Sequence, residues 1–388
     1  MISSPIYIDA ISSVSALGVH EKEVFQSYLR QKPLFCQQKI QGKEREFISP
    51  ISEQGNELLN SISKESKAYT TLDRTALLAI FAARETLKKA NWNHQNFGVN
   101  IGSSRGATQL FENYVQEYLA TGKVSTQASP TTTLGNISSW VMQDLMANGP
   151  EISHSITCSS AMHSVLNAIA WIRSGLTDYF LAGGSEAPLT KFTIAQMKAL
   201  KLYANFNLEE TYPNKSLDFS KKKNTMILGE AAACMALANQ KSENSLAEII
   251  GFGYANEALK HSVSISRDAV CLQRSMTNAL KMANLKKVDA VVMHAPGTVK
   301  GDSSELEALQ KVYGKDNLPL LTSNKYLIGH TFGSSGMMSL EMAVLMLKNN
   351  RFLENPLYEN STEVKEIKSV MVNSVGFGGN AVSIIISK

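Results

Sequence analysis

The sequence predicts an α/β fold made of two similar halves, and three observations predict it. Short β-rich segments alternate with segments of helical apolar spacing along the chain. The alternation occurs twice, in similar order and length, and a soft polar break at 239–246 (Asn-Gln-Lys-Ser-Glu-Asn-Ser-Leu) separates the two runs. At 388 residues the chain is too long for one small core, which favours two fused units. Strands alternating with helices imply a sheet whose central strands are largely parallel.

Each element has its own reason. Ile6–Ile8 reads as a strand ending near the Gly18 turn. Arg74–Ala90 places apolar residues at helical spacing and ends in lysine, which suits the negative end of a helix dipole. Gly98–Ile101 reads as a strand entering the polar turn Gly102–Gly106. Ile152–Thr157 reads as a strand, Ala161–Ser174 as a helix, and Tyr179–Ala182 as a strand closed by Gly183-Gly184. In the second run, Ile249–Tyr254 is strand-like, Asp268–Ala283 helix-like, and Val288–Met293 a strand leading into His294. Ser304–Val312 and Met337–Lys348 read as helices, and Val370–Asn373 and Ala381–Ser387 as strands around Gly376-Phe377-Gly378-Gly379.

Composition excludes several classes. With 44% hydrophobic and 19% charged residues, the chain is no disordered segment. No apolar run approaches the roughly 18 residues a membrane span needs. A net charge of +4, from 38 Lys+Arg against 34 Asp+Glu, does not point to nucleic acid. The four cysteines (36, 158, 234, 271) form no CxxC pair and no metal-like spacing with histidine, so neither a disulfide framework nor a metal site is expected. Met1–Pro5 lacks the basic and apolar stretches of a signal peptide, and the expected setting is a reduced cytoplasm.

Cys158 is the sharpest single feature. It stands between a strand and a helix opening Ser159-Ser160-Ala161, where helix-terminal N–H groups favour thiolate and can hold an oxyanion. Taken alone it fits either a nucleophile on an elbow or a small buried cysteine. His294 opens His-Ala-Pro-Gly-Thr298 at a strand end, and His330 lies in Lys325-Tyr-Leu-Ile-Gly-His330-Thr-Phe-Gly-Ser-Ser-Gly336. Each alone fits a cleft residue or a structural histidine. The Gly376–Gly379 turn is either a plain hairpin or a place where backbone N–H approaches a ligand. His163 reads as structural, His154 receives no role, and Cys36, Cys234 and Cys271 read as ordinary thiols.

Taken in order, Cys158, His294-(x)3-Thr298-(x)3-Asp302-(x)2-Glu305, Lys325-(x)4-His330 and Gly376-Phe-Gly-Gly379 form a specific set. The set resembles the β-ketoacyl-acyl-carrier-protein synthases, the condensing enzymes of the thiolase superfamily. The resemblance runs from Val14-Ser-Ala-Leu-Gly18 and Asp73-Arg74 through Gly183-Gly-Ser-Glu186 and Leu228-Gly-Glu230 to the final glycine turn. It implies a thiolase-like fold with two similar βαβαβ-type halves layered α-β-α-β-α. Residues 1–243 would carry the nucleophile and 244–388 the two catalytic histidines.

By that resemblance Cys158 takes an acyl chain as a thioester, and His294 and His330 support decarboxylation of malonyl-carrier protein and the developing enolate. Lys325 orients the histidine network, to which Asp302 and Glu305 belong. Phe377 is the gate, and its N–H with that of Cys158 forms the oxyanion hole. Thr298 contacts pantetheine, and Phe111 limits the acyl pocket. No cofactor is implied, because 4′-phosphopantetheine arrives on the carrier protein. Three departures stand out: Pro296 replaces a pantetheine-contacting threonine, Phe219-Ser220 replaces a Phe-Asp pair, and Asn380-Ala381 follows the glycine turn. They suit a specialised ketosynthase of a polyene or polyketide pathway.

A thiolase would need a second cysteine near the C-terminus, and none follows Cys271. An initiating Cys-His-Asn synthase would carry asparagine at 330. The remaining alternative is a non-catalytic, chain-length-shaping subunit of a heterodimer, against which the retained Cys158, His294, His330 and Lys325 argue. The expected partners are acyl carrier protein and a second subunit, in a homodimer or a ketosynthase-like heterodimer paired along 152–157. Between Lys191 and Lys223 seven lysines face three acids, a surplus equal to that of the whole chain. This stretch is either a solvated loop or a docking surface for an acidic carrier protein.

Overall fold

The computed structural model describes residues 5–41, 44–92, 95–134, 136–205, 207, 209–258, 265–361 and 365–388. Met1–Ser4, within the segment read for a signal peptide, lie outside the described residues. The strands of the first half are Ile6–Val14 (β1), Cys36–Gln41 (β2), Glu44–Ser49 (β3), Gly98–Gly102 (β4), Glu151–His154 (β5), Tyr179–Glu186 (β6), Leu228–Gly229 (β7) and Ala231–Ala238 (β8). Those of the second are Ala247–Asn256 (β9), Ala290–Val292 (β10), Leu320–Thr322 (β11), Ser369–Gly376 (β12) and Asn380–Ser387 (β13).

The main sheet runs β11-β10-β12-β13-β9-β1-β8-β6-β4-β5, and β2-β3-β7 form a small second sheet. Outward from the β1–β9 seam the two flanks repeat one order: the first, fifth, fourth, second and third main-sheet strands of each half. The seam itself is short, Ile6–Ile8 against Ala247–Ile249. This repeat is the thiolase-like plan expected from the sequence.

The expectation of largely parallel strands holds only at the ends of the sheet. β10 pairs parallel with β11 and β12, and β4 with β5 and β6. The pairs between them are antiparallel. β12 and β13 are joined by a tight turn, which can connect only antiparallel neighbours. β8 has no counterpart in the sequence reading, because Ala-Ala-Ala-Cys-Met-Ala-Leu-Ala is weak in strand-forming residues and buried on both faces. β6 also continues through Gly183-Gly184 instead of ending there. A side chain at 183 would meet Cys234 Sγ at 2.7 Å and one at 184 would meet Gly333 O at 2.9 Å, so the glycines serve close packing.

Six of the described helices bear on the site and its core: Arg74–Ala90 (α1), Thr108–Thr121 (α2), Ser160–Arg173 (α3), Val270–Ala283 (α4), Val299–Tyr313 (α5) and Ser335–Asn349 (α6). α1 packs on β1, β6 and β8, and α4 on β9 and β13. α3 and α6 pack on each other between the two halves of the sheet, with α6 reaching strands of both. α6 is buried from Ser335 to Leu347, as a helix that is apolar all round must be. Its Leu340 and Val344 share one core with Met162 and Ile169 of α3 and with Ile8, Val292 and Ile384. Each such aliphatic side chain contributes about 1.5–3 kcal/mol on burial. This central core fixes the turns at the strand ends, where the candidate residues lie.

Candidate active site

The nucleophile candidate stands at a sharp junction. β5 ends at His154, three residues before the strand end read from the sequence, and α3 begins at Ser160. Between them Thr157 takes φ 48°, rare for a β-branched residue. Cys158 is buried, 6% exposed. Burial pushes its thiol up to about 12, the Glu186 carboxylate adds to this, and Arg105 and Lys325 pull weakly the other way. This corrects the expectation of a thiolate. The helix N-terminus is there, but desolvation of the charged sulfur outweighs it.

The second half supplies the imidazoles. His294 follows β10, and His330 follows β11 and a short helix, Lys325–Ile328. Their rings lie 5.0 Å apart, nearly perpendicular at 87°. Burial holds both neutral: His294 well below its ordinary value, helped by His330 and Lys325, and His330 down to about 3, helped by Lys325. The backbone N–H of His330 donates to the Ile227 carbonyl at 2.7 Å. Its buried Nδ1 has no partner among the described residues.

The carboxylates hold backbone, not imidazole nitrogen. Glu305 accepts from the N–H groups of His294 (3.0 Å) and Ala295 (2.9 Å). Asp302 accepts from those of Gly297 (3.0 Å), Thr298 (3.2 Å) and Leu217 (3.2 Å). Burial raises both carboxyls, Glu305 to about 7. Asp302 also takes Lys221 Nζ at 2.8 Å, with both side chains nearly inaccessible. Lys221 therefore leaves the surface charge patch, whereas Lys222 and Lys223 are exposed. Lys325 is buried behind the site, donating from Nζ to Asn324 Oδ1 (2.8 Å) and Ser339 Oγ (3.2 Å). Burial lowers it to about 8.

A cavity of about 280 Å³ brings these groups together, with Cys158, His294, His330, Thr298 and Phe377 on its wall. Thr298 also caps α5 by accepting from Gly301 N–H, so its hydroxyl is held at the rim. Pro296, where the resemblance expects threonine, lines the same cavity. Phe111 does not join the cavity: it is 60% exposed on α2, a helix whose Val115, Tyr118 and Leu119 are also exposed. His154 contacts Asn100 and the Ser160 carbonyl, and His163 the Ser159 carbonyl.

The sequence reading missed part of the wall. Met226, Leu202 and Phe332 line the cavity, and nothing in their spacing signals it. Glu186 was seen only as part of a motif. It is fully buried and accepts from the N–H groups of Ser104 (2.7 Å), Arg105 (3.1 Å) and Gly333 (3.0 Å), tying the turn after β4 to the one after His330. The signal was there: an acid directly after Gly183-Gly184-Ser185 in a buried strand. Among the described residues, no cluster of His, Cys, Asp and Glu could hold a metal.

The sequence matches the profiles "Beta-ketoacyl synthase, N-terminal domain" over residues 11–243 and "Beta-ketoacyl synthase, C-terminal domain" over 246–357. The chain belongs to the β-ketoacyl synthase family. Among its relatives, 3-oxoacyl-[acyl-carrier-protein] synthase 2 of Coxiella burnetii is 26% identical over 99% of this chain and 98% of its own length. 3-oxoacyl-[acyl-carrier-protein] synthase 1 of Buchnera aphidicola is 25% identical over 99% of each chain. Among solved structures, the ishigamide ketosynthase/chain length factor superimposes with a TM-score of 0.85 at 19% identity, covering 100% of this chain and 99% of its own. The ketosynthase ApeO in complex with its chain length factor ApeC, from Xenorhabdus doucetiae, gives 0.81 at 21% identity over 99% and 98%. These likenesses establish the fold, and the family profiles establish the kinship.

Proposed function

We propose that the chain is an elongating condensing enzyme acting on carrier-protein thioesters. The observation that carries this is the shared cavity: a thiol, two neutral imidazoles 5.0 Å apart and the Phe377 turn on one wall. Cys158 sulfur attacks an acyl-carrier-protein thioester, forming acyl-Cys158 and releasing the carrier thiol. Because the thiol is protonated when buried, a neutral imidazole takes its proton as the sulfur attacks. Malonyl-carrier protein then loses CO2, and N–H donors from His294 and His330 stabilise the enolate oxygen in a dry site. The enolate carbon attacks acyl-Cys158, and the thiolate leaves with release of 3-oxoacyl-carrier protein. Phe377 and Cys158 N–H groups hold the thioester oxygen during both transfers. Lys325 acts through its field on the histidines, and Asp302 and Glu305 fix the turn that carries His294.

We place the division between the halves at 243/244, with the nucleophile on one side and the histidines on the other. Carrier protein docks beside the cavity, where a basic groove of about 650 Å³ is lined by Lys198, Lys201, Lys222, Lys223 and Lys300. Asn224 and Lys300 line both openings. Dimerisation uses β5, the end strand of the sheet, and the exposed apolar face of α2, so that Phe111 serves a partner subunit's pocket. The departures at Pro296 and Asn380 favour a specialised polyene or polyketide pathway. No described helix is long and apolar enough to cross a membrane, and a cytoplasmic setting with no cofactor beyond the carrier's pantetheine fits the scheme. Incubation with acyl- and malonyl-carrier protein should give 3-oxoacyl-carrier protein by mass spectrometry. Absence of that product from the chain alone, with product appearing only when a co-purifying partner is added and persisting in Cys158→Ala, would favour the chain-length-shaping role.

A further inference from the structure

The turn over the nucleophile is tied down by residues that flank the nucleophile itself. Thr157 Oγ1 donates to the Phe377 carbonyl at 3.2 Å, and Asn380 Nδ2 donates to the same oxygen at 3.2 Å. Both lone pairs of that carbonyl are thus engaged. Asn380 Oδ1 in turn lies against the Ser159 hydroxyl, which shares its one proton between Asn380 and the Ile156 carbonyl. A side chain at Gly376 would stand 2.0 Å from Thr157 Oγ1, so the Thr157 hydroxyl takes the space that glycine at 376 leaves open. The contact also accounts for the left-handed backbone of Thr157, φ 48°, a conformation a β-branched residue keeps only when its surroundings hold it.

We propose that Thr157 and Asn380 are positioning residues for acyl transfer: their two donors hold the Phe377 carbonyl, and so the Gly376–Gly379 turn, over Cys158. The claim rests on the acylation reading above and assigns a task to the residue that departs from the family pattern at 380. Thioester attack builds charge on an oxygen that the turn must meet accurately, and a displacement near 1 Å costs about a hundredfold in rate. Alkylation of the same thiol by iodoacetamide needs access and loss of the thiol proton, but it builds no such oxyanion.

The test compares the two reactions at Cys158, each followed by intact mass, in Thr157→Val, Asn380→Leu and Thr157→Ser. Thr157→Val keeps the shape and removes the donor. It should slow acylation from acyl-carrier protein about tenfold at unchanged KM, while iodoacetamide labelling becomes faster. Thr157→Ser, which restores the hydroxyl, should return both rates to near those of the parent. Asn380→Leu should shift both rates in the same directions as Thr157→Val, and it stands in if Thr157→Val does not fold. Equal rates in Thr157→Val and the parent, or a parallel fall in both reactions, overturns the proposal. A parent that alkylates but never acylates defeats the condensing reading instead, and the labelling rates still judge the latch.

Discussion

The two halves repeat one strand order but furnish their matching turns differently. After the second main-sheet strand, the first half places Ser103–Arg105, whose Ser104 and Arg105 N–H groups are gathered by the buried carboxylate of Glu186. The second half places His294–Thr298 at the same point, whose N–H groups are gathered by Glu305 and Asp302. The device is the same, a buried carboxylate fixing a turn through backbone donors. Only the second turn carries an imidazole. After the third strand the roles invert in kind: Cys158 in the first half, Lys325 and His330 in the second. The scaffold is repeated, and the chemistry is added unequally: Cys158 in the first half, His294, Lys325 and His330 in the second.

The halves differ most in how their clamps handle charge. Asp302 is paired with Lys221, whereas Glu186 has no ion-pair partner among the described residues and is raised to about 7 by burial. Lys221→Met should therefore destabilise the chain by about 3–5 kcal/mol in urea unfolding, because it strands a buried carboxylate. Adding Asp302→Asn should recover much of the loss. An unchanged midpoint in Lys221→Met would make the two clamps equivalent.

The second comparison is between the nucleophile turn and the imidazole turn. His330→Ala should leave acylation of Cys158 measurable and lower condensation about 10²–10³-fold, since one donor to the enolate is removed. Separate assays of acyl-enzyme formation and of 3-oxoacyl product would show the split. Equal loss of both steps would merge the turns into one function.

The third probes the packing between halves, where Ser13 of β1 donates to Glu341 of α6 at 2.7 Å. Burial raises the Glu341 carboxyl from 4.5 to about 7 against the opposing pull of Ser13. The folded chain thus keeps a proton that the unfolded chain releases across that window. The group's contribution falls by about 3 kcal/mol as pH rises through it, and stays lost above. Glu341→Gln should raise the melting temperature relative to the parent at pH ~8 and gain little at pH ~5. A pH-independent difference would mean that the interface tolerates the charge. The smallest effect is expected at the surface. Lys222→Glu with Lys223→Glu should raise the KM for carrier protein at low salt by a few-fold, about 1 kcal/mol or less, and the effect should vanish at high salt. No salt-dependent change returns these lysines to a solvated loop.

Much of this was legible in the sequence where local rules and burial agree. Arg74–Ala90 is legible to the residue because its apolar spacing and terminal lysines point one way, and the structure adds Asp73 as its cap. The strand β8 was not legible, since eight small and apolar residues buried on both faces carry no period. Cys158, His294, His330 and Phe377 could be picked out as an ordered set, and the cavity gathers them. What the sequence could not show was tertiary. Lys221 looks like a surface charge beside Lys222 and Lys223 until folding brings it to Asp302, 81 positions away. Phe111 looks like a wall of this chain's own cavity until α2 turns it to the outer surface, toward the proposed partner subunit. The thiol of Cys158 looks activated from its place before a helix, and only burial reveals that it starts protonated.

The most direct test of the central claim is the mass of the intact protein after incubation with acyl-carrier protein. The account predicts one acyl adduct on the parent, located to Cys158, and none on Cys158→Ala. An adduct that persists in Cys158→Ala, or a parent that stays unmodified with every acyl donor, would contradict it.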